Sequence, residues 1–286
     1  MNKDRFGIGW RPELAAGIFS NQHRLDVLEV IADDYFDASA KQLRALATLR
    51  AQLPVVLHGI QLGLASAAES DVIRSRKMAR LVHFIEPDFW SEHLAFVRGG
   101  GIEIGHLAAP PRCAATRDGA IRNVRAVESI VGSRPLLENI ATLIDPPGSD
   151  RTELQWTCEI LSGADCDLLL DLHNLHANSV NFGYDASDFI RRLPADRIAA
   201  IHIAGGQQIR RPGASRILDD HLHDVPDPVY DLLSVVGSCA LRPLTVILER
   251  DGHYPVIDHL LAQIDRARDA LALGRAMQEV TNVACI

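Results

Sequence analysis

The chain has 286 residues, of which 47% are hydrophobic and 23% are charged, and its formal net charge is −8. This composition is typical of a globular protein with a large core, and no apolar run reaches the roughly 18 residues that a membrane span needs. The acidic balance disfavours a nucleic-acid partner, which a basic surface would attract, and the first residues contain no signal-peptide core. We therefore expect a cytoplasmic protein that binds neither nucleic acid nor a membrane.

The cysteines are widely spaced and include no Cys-x-x-Cys pair. There are five of them: Cys113, Cys158, Cys166, Cys239 and Cys285. An odd number at such spacings argues against a disulfide framework and against a thiolate metal site.

Short apolar segments alternate with helical patterns along the chain. The predicted strands are 6–9, 26–31, 55–57, 89–97, 135–137, 168–171, 198–203 and 244–248. The predicted helices are 38–52, 71–85, 118–131, 150–162, 186–193, 226–236 and 256–272, with long loops over 99–112 and around 219–223. This alternation predicts an α/β protein, a (β/α)8 TIM-type barrel. We expect a single domain with a barrel core over about 6–272 and a C-terminal tail over 273–286.

Most of the predicted strands carry a charged or histidine side chain at or near the carboxyl end. These residues are Glu29, His58, His93, Glu138, Asp171, His202 and Glu249. Charged groups rarely enter strands, and the carboxyl ends of barrel strands form the face on which such folds place their chemistry. The pattern therefore predicts a functional site at that face.

Four histidines and four carboxylates of this region form a donor set suited to metal ions. They are His58, His93, His202, His221, Glu138, Asp171, Asp219 and Glu249. Packed together without cations, the carboxylates would repel one another and several would have to take up protons. Two or three divalent or trivalent ions remove that cost, and nitrogen and oxygen donors without thiolates suit iron, manganese or zinc.

The other polar candidates are less informative. Five histidines are expected at surface or hydrogen-bonded positions: His23, His83, His106, His253 and His259. Three more are close to the predicted ligands and receive no role: His173, His176 and His223. A solvated loop and a lining of the substrate entrance are equally good interpretations of Asp33, Asp34 and Tyr35.

The residue types alone leave three functions open. A barrel that holds zinc or manganese can activate water for hydrolysis or isomerise a sugar, with the metal as Lewis acid. Redox-active iron can instead bind dioxygen and oxidise a substrate. A non-catalytic scaffold could use the metal only to hold a peptide, and it would consume no oxygen.

Nine motifs occur in order over about residues 6–255. They are GIGWRPE, EVIADDY, LHG, SEHLAF, LEN, LLLDLHNLHANSVNFG, IHIAGG, DDHLHDVPDPVY and LERDGHYP. Together they resemble the multinuclear non-heme iron-dependent oxidase family, the MbnB-like type of methanobactin biosynthesis. A single short motif such as LHG has little specificity, whereas the ordered set is specific.

The resemblance implies a barrel with two or three iron ions in mixed Fe(II)/Fe(III) states and dioxygen as co-substrate. The implied substrate is a ribosomally synthesised precursor peptide, often modified at cysteine, and many members use a separate partner protein that delivers the leader of the peptide. Carried over by motif, the implied iron ligands are His58, His93, Glu138, Asp171, Asn174, His202, Asp219, His221 and Glu249.

Three segments depart from the commoner family pattern. Many relatives have two Asn where this chain has His173-Asn174, Asn-His-Gly at 181–183, and LERDDNIP where this chain has LERDGHYP. These changes leave the implied ligands intact but lie near the expected substrate cavity. Methanobactin chemistry is therefore not transferred to this chain.

Overall fold

The computed structural model describes residues 3–211 and 214–284. The strands are β1 (Arg5–Gly9), β2 (Val27–Ile31), β3 (Val55–Gly59), β4 (Trp90–His93), β5 (Phe96–Gly99), β6 (Ile102–Ala108), β7 (Leu136–Glu138), β8 (Leu168–Asp171), β9 (Ile198–Ile203), β10 (Gly205–Arg211), β11 (Ala214–His223) and β12 (Thr245–Leu248). The helices are α1 (Ala15–Ser20), α2 (Ala40–Arg50), α3 (Val72–Ile85), α4 (Ala114–Val131), α5 (Glu153–Ala164), α6 (Leu172–Phe182), α7 (Ala186–Arg192), α8 (Asp227–Cys239) and α9 (Ile257–Ala284). Short 3-10 turns span Pro12–Leu14, Gln22–Arg24 and Ala32–Tyr35.

Eight of the strands form a closed parallel barrel. The hydrogen-bonded order is β1-β12-β9-β8-β7-β4-β3-β2. Strands β3, β8 and β12 are buried at every residue. This explains why their sequences are apolar runs in which hydrophobic and polar residues do not alternate. The predicted α/β fold class, a (β/α)8 barrel, is confirmed.

The chain groups into two compact units. The first unit contains Met1–Leu25, Ala141–Leu143 and Leu170–Ile286, and the second contains Asp26–Ile140 and Ile144–Leu169. Each unit buries its own apolar side chains, such as Leu233 in the first and Met78 in the second. The single-domain assignment stays a prediction.

Several helices begin and end at the residues that local chemistry favours. Ser39 and Thr152 each close a capping box at the start of α2 and α5, and Asp71 caps α3. Helix α4 ends at Gly132, the predicted stop, in the left-handed conformation with φ 88°.

The structure differs from the sequence-based expectation in the connections. The predicted strand over 89–97 is two strands, β4 and β5, and the predicted loop over 99–112 contains β6, which pairs with β5 as a hairpin. Gly100 and Gly101 both adopt positive φ, which lets the chain turn back there. The predicted loop around 219–223 is the end of a second hairpin, β10–β11.

Two further segments are helical. The polar run after β8 is α6, which Asp171 caps and Gly183 ends with φ 74°. Helix α9 continues past residue 272 to Ala284, so most of the expected tail is helix. No disulfide joins the four cysteines within the described ranges, and Cys285 lies outside them. In those same ranges, no helix has both the length and the apolar character that crossing a membrane requires.

Asn123 of α4 ties the segment after β3 to the helix layer of the second unit. Its side chain is buried, and Nδ2 donates to the carbonyl oxygens of Leu64, Ser66 and Ala68 at 3.1, 3.1 and 2.9 Å. These carbonyl groups lie in a loop outside the strands and helices. The side-chain amide of Asn123 therefore supplies the hydrogen bonds that buried carbonyl groups require.

We expect Asn123→Leu to destabilise the fold by about 2–4 kcal/mol, because the leucine keeps the volume but leaves buried carbonyl groups without their donor. Chemical denaturation followed by circular dichroism measures the loss. Ser129→Ala on the exposed side of the same helix is the control and should change the stability by less than about 0.5 kcal/mol. Equal stabilities of the two variants would contradict the assigned role of Asn123.

Candidate metal centre

In the second unit, three side chains at adjacent strand ends converge on one point. His58 of β3, His93 of β4 and Glu138 of β7 each offer a donor atom within 4.8 Å of the others. Oε2 of Glu138 lies 3.4 Å from Nε2 of each histidine, and all three side chains are buried. The parallel register places His93 directly opposite Glu138. Convergence of these three strand ends was expected from the sequence.

Ser91 orients the imidazole of His58. Nδ1 of His58 lies 2.8 Å from Oγ of Ser91, and that hydroxyl donates to the carbonyl oxygen of Leu57 at 3.4 Å. Since the hydroxyl hydrogen goes to Leu57, Oγ accepts the Nδ1 hydrogen of His58. This tautomer leaves Nε2 with its lone pair toward Glu138, as metal ligation requires.

Two acidic side chains lie beside this group in the second unit. Glu92 is fully buried and accepts hydrogen bonds from the backbone N–H groups of Leu62 and His93 at 3.1 and 2.9 Å. Asp33 accepts from the N–H of Ile60 at 2.9 Å. Burial, together with the negative charge of Glu92, raises the pKa of Asp33 to about 7. Asp33 is partly buried, whereas Asp34 is exposed.

In the first unit, Asp171, His202 and Glu249 form a second group of donors. Each offers an atom within 4.8 Å of the others, and all three are buried. Nδ1 of His202 lies 3.1 Å from Oε2 of Glu249. Oδ1 of Asp171 accepts the backbone N–H of Asn174 at 2.6 Å as the cap of α6, and Oδ2 lies 3.9 Å from Nε2 of His221.

A third group, also in the first unit, joins α6 to the β10–β11 hairpin. His173, Asp219 and His221 offer donor atoms within 4.8 Å of one another. Oδ1 of Asp219 lies 2.9 Å from Nδ1 of His173 and 2.8 Å from Nε2 of His221. Gly206 permits this approach, because a Cβ atom there would lie 2.5 Å from the ring of His173.

His173 is the residue of this group to which the sequence assigned no role. Its signal was its position two residues after Asp171, at the start of the helix that the strand end caps. Asn174, an implied ligand, is buried in the same helical turn, and its role as a ligand stays a prediction. His23, His83, His106, His253 and His259 are exposed, as expected, and so is His223; His176 is partly buried.

Two asparagines of α6 hold the neighbouring backbone in place. Oδ1 of Asn181 accepts the N–H of Ile217 at 2.9 Å, and Nδ2 donates to the carbonyl oxygens of Ile217 and Thr142 at 3.0 and 3.3 Å. Asn178 accepts the N–H of Thr142 at 2.9 Å. Because Ile217 and Asp219 belong to the same strand, these bonds set the position of the hairpin end that carries Asp219 and His221.

The electrostatics of the third group depend on the contact between His221 and Asp219. Burial lowers the pKa of His221, but the charges of Asp219 and Glu249 outweigh it and raise that pKa well above its ordinary value. Burial likewise raises the pKa of Asp219, and the charges and hydrogen bonds of His221 and His173 lower it well below its usual range. Without a cation, the pair is therefore an imidazolium and a carboxylate at neutral pH.

The donor atoms of all three groups fit metal ions. They are imidazole nitrogens and carboxylate oxygens at ligand-like separations, and each group brings together at least one histidine and one carboxylate. Such donors suit iron, manganese or zinc. The groups contain the eight histidine and carboxylate ligands that the sequence implied, together with His173.

Comparison with known proteins gives a consistent family match. Residues 5–272 match the family described as RiPP precursor modification enzyme MbnB/TglH/ChrH. A UPF0276 protein of Streptomyces avermitilis is 35% identical over 273 residues, which cover 93% of this chain and 54% of that protein. This chain thus spans about half the length of that relative. A UPF0276 protein of Shewanella amazonensis is 35% identical, with 92% of this chain and 93% of the relative covered.

Solved structures agree on the fold. D-psicose 3-epimerase from Clostridium cellulolyticum H10, in complex with D-tagatose, superposes with a TM-score of 0.58 at 13% identity. The match covers 96% of this chain and 99% of the epimerase. At this identity the similarity concerns the barrel and not the reaction.

We expect Ser91→Ala to weaken the binding of one metal ion by roughly 10-fold or more, because His58 loses the partner that selects its tautomer. Anaerobic titration with Fe(II) against a chelator measures the affinity. Ser129→Ala, which removes an exposed hydroxyl group, should bind as the wild type does. Unchanged affinity in Ser91→Ala would show that His58 does not need this hydroxyl group.

We expect metal binding to release protons and to tighten as the pH rises, because an ion bound to Nε2 of His221 must displace the proton that Asp219 stabilises there. In the metal-free protein the same contact stabilises the fold fully below the unfolded pKa of His221, and this stability is lost as the pH rises through the raised folded pKa. Calorimetry in buffers of different ionisation enthalpy counts the released protons.

His221→Gln is the matched variant for that measurement, because glutamine retains a polar side chain without a titrating imidazole. It should release about one proton fewer on metal binding than the wild type does. An equal proton count would place the released proton elsewhere.

Proposed function

This chain belongs to the MbnB/TglH/ChrH family of RiPP precursor modification enzymes, and on that premise we propose that it is an iron-dependent oxidase. In this proposal the protein uses dioxygen to modify a ribosomally synthesised precursor peptide. The donor groups hold two or three iron ions in mixed Fe(II)/Fe(III) states.

One observation carries the choice of iron. His58, His93 and Glu138 supply two imidazoles and one carboxylate from three adjacent strand ends, a ligand set that is typical of non-heme Fe(II) sites with open coordination positions. With these three protein ligands, a bound iron ion would keep coordination positions open for dioxygen and for a substrate atom. A storage site would have no use for such open positions, which favours an enzyme over a scaffold.

The chain's own residues have three tasks in this proposal. His58, His93 and Glu138 hold one ion, and Ser91 keeps Nε2 of His58 unprotonated. In the first unit, Asp171, His202 and Glu249 form one set of ligands, and His173, Asp219 and His221 form another. Bound iron supplies the binding of dioxygen and the one-electron steps. The first two sets of ligands are buried, which excludes water from their donor atoms and strengthens the electrostatic contacts among them, whereas Asp219 and His221 are partly exposed.

The substrate assignment follows from family membership. We propose a precursor peptide modified at a cysteine, whose thiolate suits a ferric ion, and a separate partner protein that delivers the leader of the peptide. Of the segments that depart from the commoner family pattern, 173–174 contains His173 of the third donor group, 181–183 ends the helix that carries it, and 252–255 follows Glu249 and Asp251 in the chain. They support a peptide or product different from that of methanobactin biosynthesis.

We expect His58→Gln and Glu138→Gln to lose at least one iron ion and to reduce dioxygen consumption at least 100-fold, because each removes a ligand of the proposed open site. The protein is purified without oxygen, its metals are quantified, and Mössbauer spectra are recorded before and after exposure to dioxygen. Co-expression with short peptides encoded beside the gene, followed by mass spectrometry, tests for a modified product.

His259→Gln is the control for these variants, because His259 is exposed and its imidazole contacts the carboxylate of Asp224, which belongs to none of the donor groups. It should retain iron and oxygen consumption. Stoichiometric zinc or manganese with turnover in the absence of oxygen would instead support the hydrolase or isomerase. A saturated metal site that consumes no oxygen would support the scaffold.

A further inference from the structure

His221 has a backbone conformation that residues with a side chain rarely adopt. Its φ is 52°, in the left-handed region, which non-glycine residues uncommonly adopt, although histidine does so more often than most of them. Such residues persist where surrounding contacts hold them, and they are concentrated at functional sites. The contacts around His221 therefore show which residues impose this conformation.

Two backbone contacts hold the chain on either side of the imidazole. The N–H of Asp251 donates to the carbonyl oxygen of His221 at 2.9 Å. On the following residue, the N–H of Leu222 donates to Oδ1 of Asp220 at 3.0 Å. Both groups of the peptide bond after His221 therefore accept or donate a hydrogen bond. Its carbonyl oxygen is bonded to Asp251, after β12, and its N–H group to Asp220, in the same strand as His221.

The side chain of Asp251 also lies against the ring that its backbone supports. Oδ2 of Asp251 is 3.5 Å from Nδ1 of His221, and Oε2 of Glu249 is 3.3 Å from the same nitrogen. The opposite nitrogen, Nε2, faces Asp219 at 2.8 Å and Asp171 at 3.9 Å. One edge of the ring therefore meets Glu249 and Asp251 at the end of β12, and the opposite edge meets Asp219 and Asp171.

Arg11, which follows β1, holds the carboxylate of Asp251. Its guanidinium group donates from Nη2 to Oδ1 of Asp251 and from Nη1 to the carbonyl oxygen of Trp10 at 2.9 Å. Strands β1 and β12 are hydrogen-bonded neighbours, so both residues leave the barrel side by side. The Arg11 side chain is 15% exposed and that of Asp251 is 44% exposed, so solvent reaches the carboxylate and partly screens this pair.

We propose that Asp251, held in place by Arg11, is a positioning residue for His221. Asp251 fixes both the left-handed backbone of His221 and the direction of its ring, so that Nδ1 faces a carboxylate and Nε2 is directed to the ion. A carboxylate on the outer nitrogen of a ligating histidine sets its tautomer and raises its basicity as a ligand. This inference rests on the proposed metal site but not on iron or on dioxygen chemistry.

Asp251→Asn is the decisive variant, because it keeps the side-chain shape and the backbone N–H bond while removing the charge. We expect it to weaken the last ion bound by 10- to 100-fold in anaerobic titrations with Fe(II), and likewise with Zn(II). Arg11→Gln should give a smaller loss in the same titrations, and Arg11→Lys should recover part of it. The control is Asp265→Asn, which removes the charge from an exposed ion pair with Arg24.

The metal-free protein gives a second, independent readout. In spectra of the ¹⁵N-histidine-labelled protein, Asp251→Asn should shift the Nδ1 resonance of His221 and leave that of His58 unchanged. A variant that only loosened the fold would lower the unfolding midpoint and move both resonances. This measurement tests the contact between Asp251 and His221 even if the wild type binds no ion, a result that would contradict the proposed metal site and the proposed function with it.

Two results would overturn the inference. Wild-type affinity for both metals, together with an unchanged His221 resonance in Asp251→Asn, would show that the carboxylate does not act on the ring. Complete loss of one ion with a changed ligand field in the Mössbauer spectrum of the remaining iron would make Asp251 a ligand itself. In that case it would not act through His221.

Discussion

Burying carboxylates beside imidazoles is the constraint on which this structure depends. Taking these groups out of water penalises their charged forms, and removing one partner from a buried contact leaves the other without compensation. The contact between His221 and Asp219 offsets part of this penalty in the metal-free chain, since each stabilises the charge of the other. Metal ions would offset the rest of this penalty.

Residues outside the donor groups hold the donors in position, mainly through hydrogen bonds. Ser91 selects the tautomer of His58 in the second unit. In the first unit, Asn181 fixes the position of β11 through hydrogen bonds with the backbone of Ile217. Asp171 has two tasks, because one oxygen caps α6 while the other is directed toward His221. Strand β8, which ends on this capping carboxylate, thereby connects the start of α6 with a donor group.

The segments that depart from the commoner family pattern have a structural explanation at one place. In LERDGHYP, the guanidinium group of Arg250 donates to the carbonyl oxygens of Gly252 and His253 at 2.8 and 2.9 Å. His253 is exposed, and its φ of 46° makes it part of a turn after Asp251. It belongs to none of the donor groups. The change from the commoner sequence therefore lies in this turn beside Asp251 and involves none of the donor groups.

The sequence by itself determined the barrel and most of the donors, because apolar runs covered on both faces and polar residues at strand ends are local signals. His58, His93, Glu138, Asp171, His202 and Glu249 could all be named from their positions in such runs. Only the tertiary structure decided that His173 joins Asp219 and His221, that segments expected to be loops are hairpins, and that Asp251 and Arg11 hold His221. These features depend on pairings between residues far apart in the chain, such as 11 with 251 and 181 with 217, and periodicity within a segment carries no information about such pairings.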